Sequence, residues 1–122
     1  MQLEKVKSMP KMIMNNIDGV DGLSVYLVQD YYNELLRRLV KFGENIFGEL
    51  GMDQWSLVPQ IKHGNVYVLK EANKKSISGI AILMRDWEDS GEVYLSDYAI
   101  AEELQGNKLG FHFLNVIIKN IK

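Results

Sequence analysis

The sequence predicts an α/β domain of the α+β kind, with a mixed, mainly antiparallel sheet carrying helices on both faces. Three observations predict it. Apolar residues recur at three-and-four spacing over residues 32–50 and again towards the end of the chain, the mark of helices with a buried side. Between them, over residues 66–100, the period shortens to that of strands separated by polar turns. The chain has 122 residues, 47% hydrophobic and 25% charged, which suffices for one core and one domain spanning residues 1–122.

Taken in order, the apolar stretches Met12 to Ile17 and Leu23 to Val28 flank the turn-rich Asp18-Gly19-Val20-Asp21-Gly22 and predict one or two short strands. The Asp-Gly pair superficially suggests a calcium loop. It lacks the alternating aspartates and terminal glutamate such a loop needs, and it reads as a turn. Asp30 is placed to cap a helix whose apolar side is Tyr32, Leu35, Leu36, Leu39 and Val40. Asn33, Glu34, Arg37, Arg38 and Lys41 fill the opposite side. Gly43 interrupts this pattern before Ile46, Phe47 and Leu50 resume it, which predicts two helices or one broken helix. Residues 52–64 read as irregular or a short helix. Val66 to Lys70 is a strand, and Asn73-Lys74-Lys75 a turn. Ile77 to Met84, apolar on both sides, has the pattern of a central strand. Asp86 to Gly91 is a polar loop, and Glu92 to Ile100 a third strand.

From Gly106 onward, Lys108, His112, Asn115, Lys119 and Lys122 form one narrow polar stripe at helical spacing. Leu109, Phe111, Phe113, Leu114, Val116, Ile117, Ile118 and Ile121 take nearly all the rest. Such a helix needs to be covered over most of its circumference, and what should cover it is expected to be missing from this sequence.

Composition narrows the function classes. Lys and Arg number 14 against 16 Asp and Glu, a net charge of −2, which argues against a general nucleic-acid binder. The absence of cysteine excludes disulfides, thiolate metal ligands and cysteine nucleophiles. His63 and His112 lack partners at ligand spacing, so no metal site is expected. No apolar run reaches membrane-spanning length, and residues 1–10 lack the apolar core of a signal peptide, so a cytoplasmic protein without a membrane partner is expected. Trp55 and Trp87 read as core or rim packing ahead of a substrate mouth. Asp86, Glu88, Asp89 and Glu92 read as a solvated loop ahead of a lure for cationic amines.

One motif carries chemistry. A strand ending at Ile100, a glycine-containing turn Gln105-Gly106-Asn107-Lys108-Leu109-Gly110 and a following helix form an anion-binding arrangement in outline. The start of a helix offers unpaired amides and a positive partial charge, and glycines let a ligand approach the backbone. Together with Val93 to Glu103 upstream, this stretch resembles the acetyl-CoA-binding core of the GNAT superfamily of N-acetyltransferases. Their motif runs from the end of the fourth strand through Arg/Gln-x-x-Gly-x-Gly/Ala into the third helix. Gln105 matches its first position and Gly110 its last, Ile100 matches the strand-end valine, and Lys108 stands where the middle glycine would be. The segment Tyr94-Leu95-Ser96-Asp97-Tyr98-Ala99-Ile100 is similar to the Tyr-Leu-Glu-Asp-x-x-Val segment of diamine acetyltransferases.

The resemblance implies acetyl-CoA as co-substrate, no metal, and direct attack by a primary amine of a small molecule or peptide on the thioester. Backbone groups of Tyr98, Ala99 and Ile100 would bind the pantetheine arm, and those of Gly106, Asn107, Lys108, Leu109, Gly110 and Phe111 the pyrophosphate. Tyr94, Ser96 and Asp97 are the candidates near the chemistry. Regular strand alternation places Tyr94, Ser96 and Tyr98 on one side and Val93, Leu95, Asp97 and Ala99 on the other. Ser96 stands where the diamine acetyltransferases carry a glutamate, and a serine is no equivalent base. Asp97 reads first as a buried carboxylate bonded to backbone, and second as a catalytic group. The family continues past its third helix with a strand, a helix and two more strands that this sequence lacks. The alternative expectation is therefore a truncated, catalytically silent domain that forms homo-oligomers through an uncovered strand edge and the last helix.

Overall fold

The computed structural model of the chain describes residues 11–14, 22–29, 33–48, 53–71, 76–85, 93–106 and 108–121. Its elements are β1 (Lys11–Met14), β2 (Leu23–Leu27), α1 (Asn33–Phe47), α2 (Gln54–Lys62), β3 (Val66–Glu71), β4 (Gly79–Arg85), β5 (Val93–Ile100), a 3-10 turn (Glu102–Leu104) and α3 (Leu109–Ile121). The strands form one sheet in the order β1-β2-β3-β4-β5, with every neighbouring pair antiparallel. Asp30, the Asn73–Lys75 turn, Trp87 and the acidic group at 86–92 lie outside the described residues, as do residues 15–21, which hold most of the Asp-Gly turn.

Alternation along the central strands builds two cores. Val66, Val68, Ile80 and Ile82 face Leu35, Leu36 and Leu39 of α1 and Leu57 and Ile61 of α2. Tyr67, Leu69, Ala81 and Leu83 face Leu109, Phe113, Val116 and Ile117 of α3. β4 is thus covered on both faces, as its unbroken apolar run predicts. Phe113 is completely buried, and burying such a side chain contributes on the order of 1.5–3 kcal/mol.

Two helical expectations are refined. α1 runs unbroken through Gly43, which is buried in mid-helix. A mid-helix glycine costs about 0.5–1 kcal/mol, less than the packing of Leu39 before it and Phe47 after it contributes. Residues 54–62 form a short helix because the Asp53 side chain accepts from the Ser56 amide at 2.9 Å and caps its first turn. Trp55, in that turn, is 79% exposed rather than packed.

Among the described residues, α3 is covered on one side and bare on the other. Leu109, Phe113, Val116 and Ile117 are buried, but Phe111 and Ile118 are exposed, so among the described residues only one side of the helix is covered.

Candidate functional site

The site is built where β5 gives way to α3. Between Ile82 and Leu83 of β4 the register with β5 shifts: Ile82 pairs with Asp97 but Leu83 pairs with Leu95. Ser96 is the extra residue of a β-bulge, and a bulge reverses which way the residues before it point. This corrects the alternation expected from sequence. Val93 packs with Tyr98 and Ile100 in the α3-side core. Tyr94, opposite Met84, shares the α1–α2 face with Asp97 and Ala99. Tyr94 and Asp97, expected on opposite faces, lie on the same one. Ser96 is exposed at the bulge.

Asp97 lies half-buried beside Leu39, Gly43, Phe47, Leu57, Ile80 and Ile82. Burial among these apolar groups raises its pKa above the ordinary aspartate range. The hydrogen bond to nearby backbone expected of it does not form among the described residues.

Beyond the bulge the strand ends in a tied loop. The Gln105 side-chain amide donates to the Ile100 carbonyl at 2.9 Å, folding the loop back on the strand end. The Ala101 amide donates to the Ser78 carbonyl at 2.8 Å. Gly106 adopts φ +98°, which glycine reaches at no steric cost. Lys108 adopts φ +63°, the one described non-glycine residue in the left-handed region. The lysine therefore holds a conformation that a glycine would hold more easily.

α3 starts from this geometry. Its first helical bond runs from the His112 amide to the Lys108 carbonyl at 3.1 Å, which leaves the amides of Leu109, Gly110 and Phe111 without partners inside the helix. The Tyr98 hydroxyl donates to the Gly110 carbonyl, and its ring stacks on Phe113 with centroids 5.9 Å apart. Burial raises the Tyr98 pKa, so the phenol keeps the proton it donates. A Cβ at Gly110 would come within 2.7 Å of that hydroxyl oxygen, so glycine is what lets the tyrosine and the helix meet.

A cavity of ≈ 380 Å³ opens at this junction. Tyr98, Ala99 and Ile100 form one wall, and Gln105, Gly106, Lys108, Leu109 and Gly110 another. Ile46 of α1 closes it, a residue that sequence reading did not place because only the tertiary fold brings α1 there. Phe111 is exposed and outside this lining, and Asn107 is outside the described residues. Open space, glycines and helix-start amides suit a phosphorylated, extended ligand. No group of three or more metal-ligating side chains occurs among the described residues.

No protein-family model and no curated protein matches the sequence. Solved structures match the fold. One is Naa50 of Arabidopsis thaliana in complex with a bisubstrate analogue, CoA-Ac-MVNAL, with a TM-score of 0.59 and 14% identity over 81% of this chain and 64% of that one. A second is a GNAT-family acetyltransferase of Bacillus cereus, with a TM-score of 0.58 and 18% identity over 79% of this chain and 62% of that one. The fold is that of the GNAT acetyltransferases. An aminoglycoside acetyltransferase from an uncultured soil metagenomic sample, in complex with sisomicin, shares this GNAT fold at a TM-score of 0.57 and 17% identity, over 81% of this chain and 69% of that one. The chain thus spans about two thirds of the length of each GNAT structure. No described helix is long and apolar enough to cross a membrane.

Proposed function

We propose that the protein is an acetyl-CoA-dependent N-acetyltransferase acting on a primary amine of a small molecule or peptide. The observation that carries this reading is the cavity whose walls are the end of β5 and the open, glycine-containing start of α3. Structures of similar fold are complexed with a CoA-containing bisubstrate analogue and, for an aminoglycoside acetyltransferase, with sisomicin. In this reading the strand end at Tyr98 to Ile100 orients the pantetheine arm, and the amides of residues 106–111 hold the pyrophosphate. Asp97, raised in pKa and therefore a stronger base than an exposed aspartate, takes the proton of the incoming ammonium. The amine then forms the new C–N bond as the thioester C–S bond breaks, and the second proton shed by the nitrogen passes to the departing sulfur. Tyr94, on the face of Asp97, positions the acceptor, and exposed Ser96 marks the bend of the strand. The cytoplasm, where acetyl-CoA is made and used, is the compartment that fits.

The test is thermal unfolding with and without millimolar acetyl-CoA, against free CoA. Ligand at ~100 times its Kd adds about 2.7 kcal/mol, a clear rise in Tm. Gly110→Glu should abolish that rise, because the carboxylate would crowd Tyr98 and repel the pyrophosphate. No rise in the wild type, or an unaltered rise in the variant, refutes the assignment.

A second reading rests on a different observation. Leu95 of β5 and Phe111 and Ile118 of α3 are exposed apolar residues, and β5 has no strand on its outer side among the described residues. A catalytically silent, self-associating domain would use that surface. Light scattering decides: a dilute monomer that binds acetyl-CoA favours the enzyme, and a ligand-blind oligomer favours the silent module.

A further inference from the structure

A second opening exceeds the cavity at the β5–α3 junction in volume. It is a groove of ≈ 680 Å³ between α1 and the start of β4. Glu34, Arg37, Arg38, Lys41 and Asn45 line it at positions i, i+3, i+4, i+7 and i+11 of α1, which form one stripe of a helix. Phe42 and Ile77 add an apolar surface, and Ser76 a hydroxyl.

Charge within the groove is unbalanced. Arg38 is paired to Glu34 four residues earlier. Arg37 and Lys41, also four apart, form no ion pair among the described residues. Like charges at that spacing repel and weaken an isolated helix. In a chain of net charge −2, such a cluster does not follow from composition. Its field reaches the neighbouring strand: burial and the charge of Arg38 lower the pKa of Lys70, whose ammonium sits 5.0 Å from the Tyr26 ring centroid. Arg37 and Lys41 without an ion pair among the described residues, the Arg38 guanidinium beside them, a hydrogen-bonding rim and an aromatic surface are what a phosphate monoester attached to a ring system needs.

We propose that this groove is a binding site for a phosphate monoester carried on a nucleoside-like body, with Arg37, Arg38 and Lys41 as the anion-binding groups. Two sources share that chemistry. One is a free phosphorylated small molecule. The other is the nucleotide end of a CoA held in the cavity along the same helix, since Asn45 lines the groove and Ile46 lines that cavity. The anion site itself does not rest on the acetyl-CoA reading.

The test is calorimetric titration of the full chain with adenosine 3′,5′-bisphosphate, in the wild type, in Arg37→Gln/Lys41→Gln and in Lys119→Gln. Both groove residues and Lys119 are exposed, so none of the substitutions removes core packing. The expected result is saturable, salt-sensitive binding, weakened tenfold or more in the double variant and unchanged in Lys119→Gln. Absence of saturable binding to the wild type, or equal affinity in the double variant, overturns the proposal. Acetyl-CoA and acetyl-dephospho-CoA then distinguish the sources. If the double variant loses only the preference for the 3′-phosphorylated form, the groove serves the cofactor. If that preference survives while bisphosphate binding is lost, the groove serves a separate phosphorylated ligand. A chain that binds the bisphosphate but neither CoA form retains the groove site and loses the acetyltransferase reading.

Discussion

The Tyr98 hydroxyl donates to the Gly110 carbonyl and so fastens the end of β5 to the first turn of α3. One bond across the loop fixes both sides of the cavity proposed for acetyl-CoA, because Tyr98 belongs to one wall and Gly110 to the other.

Tyr98→Phe should therefore lower stability by about 1 kcal/mol, the net worth of a typical hydrogen bond. Denaturant unfolding should show a lower midpoint with an unchanged slope. The same variant should bind acetyl-CoA more weakly, because the helix start is no longer held against the strand.

Lys108 holds φ +63°. A left-handed conformation costs an L-residue about 1–2 kcal/mol, and glycine avoids that cost but loses about 0.5–1 kcal/mol to its greater freedom when unfolded. Lys108→Gly should leave stability unchanged or raise it by up to about 1.5 kcal/mol, as the difference of those effects. Lys108→Val, β-branched at a positive φ, should destabilise. A lower Tm for the glycine variant than for the valine variant would contradict this geometry.

Legibility from sequence divides along the same lines. The turn at Gln105 to Gly110 was readable because glycine spacing is a local signal, and the central character of β4 was readable from its unbroken apolar run. The face of Tyr94 was not, because the bulge at Ser96 exists only in the pairing of β5 with β4, and no residue type at 96 announces it. The continuity of α1 through Gly43 and the approach of Ile46 to the cavity are likewise set by tertiary packing. The uncovered side of α3 was legible, because apolar residues occupy nearly the whole circumference of that helix and Phe111 and Ile118 stay exposed.

Asp97 should leave a signature in pH dependence. Burial raises its folded pKa, so its contribution to stability is full below the unfolded pKa and is lost as pH rises through the folded one. Asp97→Asn should accordingly be more stable than the wild type at neutral pH, with the advantage disappearing on acidification. Activity should move the other way: acetyl transfer falls as pH drops through the folded pKa, and the variant loses about 10²–10⁴-fold in rate together with that acid limb. Unfolding and initial-rate profiles from pH 4 to 9 check both signs.

Gly79 is packed at one end of the β4–β5 pair, opposite Ile100. A Cβ there would lie 2.9 Å from Ile100 Cδ1, 3.2 Å from Leu69 Cβ and 3.3 Å from the Ala99 carbonyl oxygen. Gly79→Ala should destabilise by roughly 1–3 kcal/mol through overpacking. It should also disturb the strand end at Ile100, so a fall in Tm should come with weaker acetyl-CoA binding.

Strand order in the sheet follows chain order, and this has a kinetic consequence. β3, β4, β5 and α3 are joined by short connections, so the section from Val66 to Ile121 can assemble with little loop-closure entropy. β2 must instead find β3 across the whole α1–α2 excursion, and β1 can add only after β2. Assembly should then run from the end of the chain towards its beginning. The segment that folds first is the one that carries the loop at 105–110, so the anion-cradling turn takes shape before the helix that closes its cavity with Ile46 has docked.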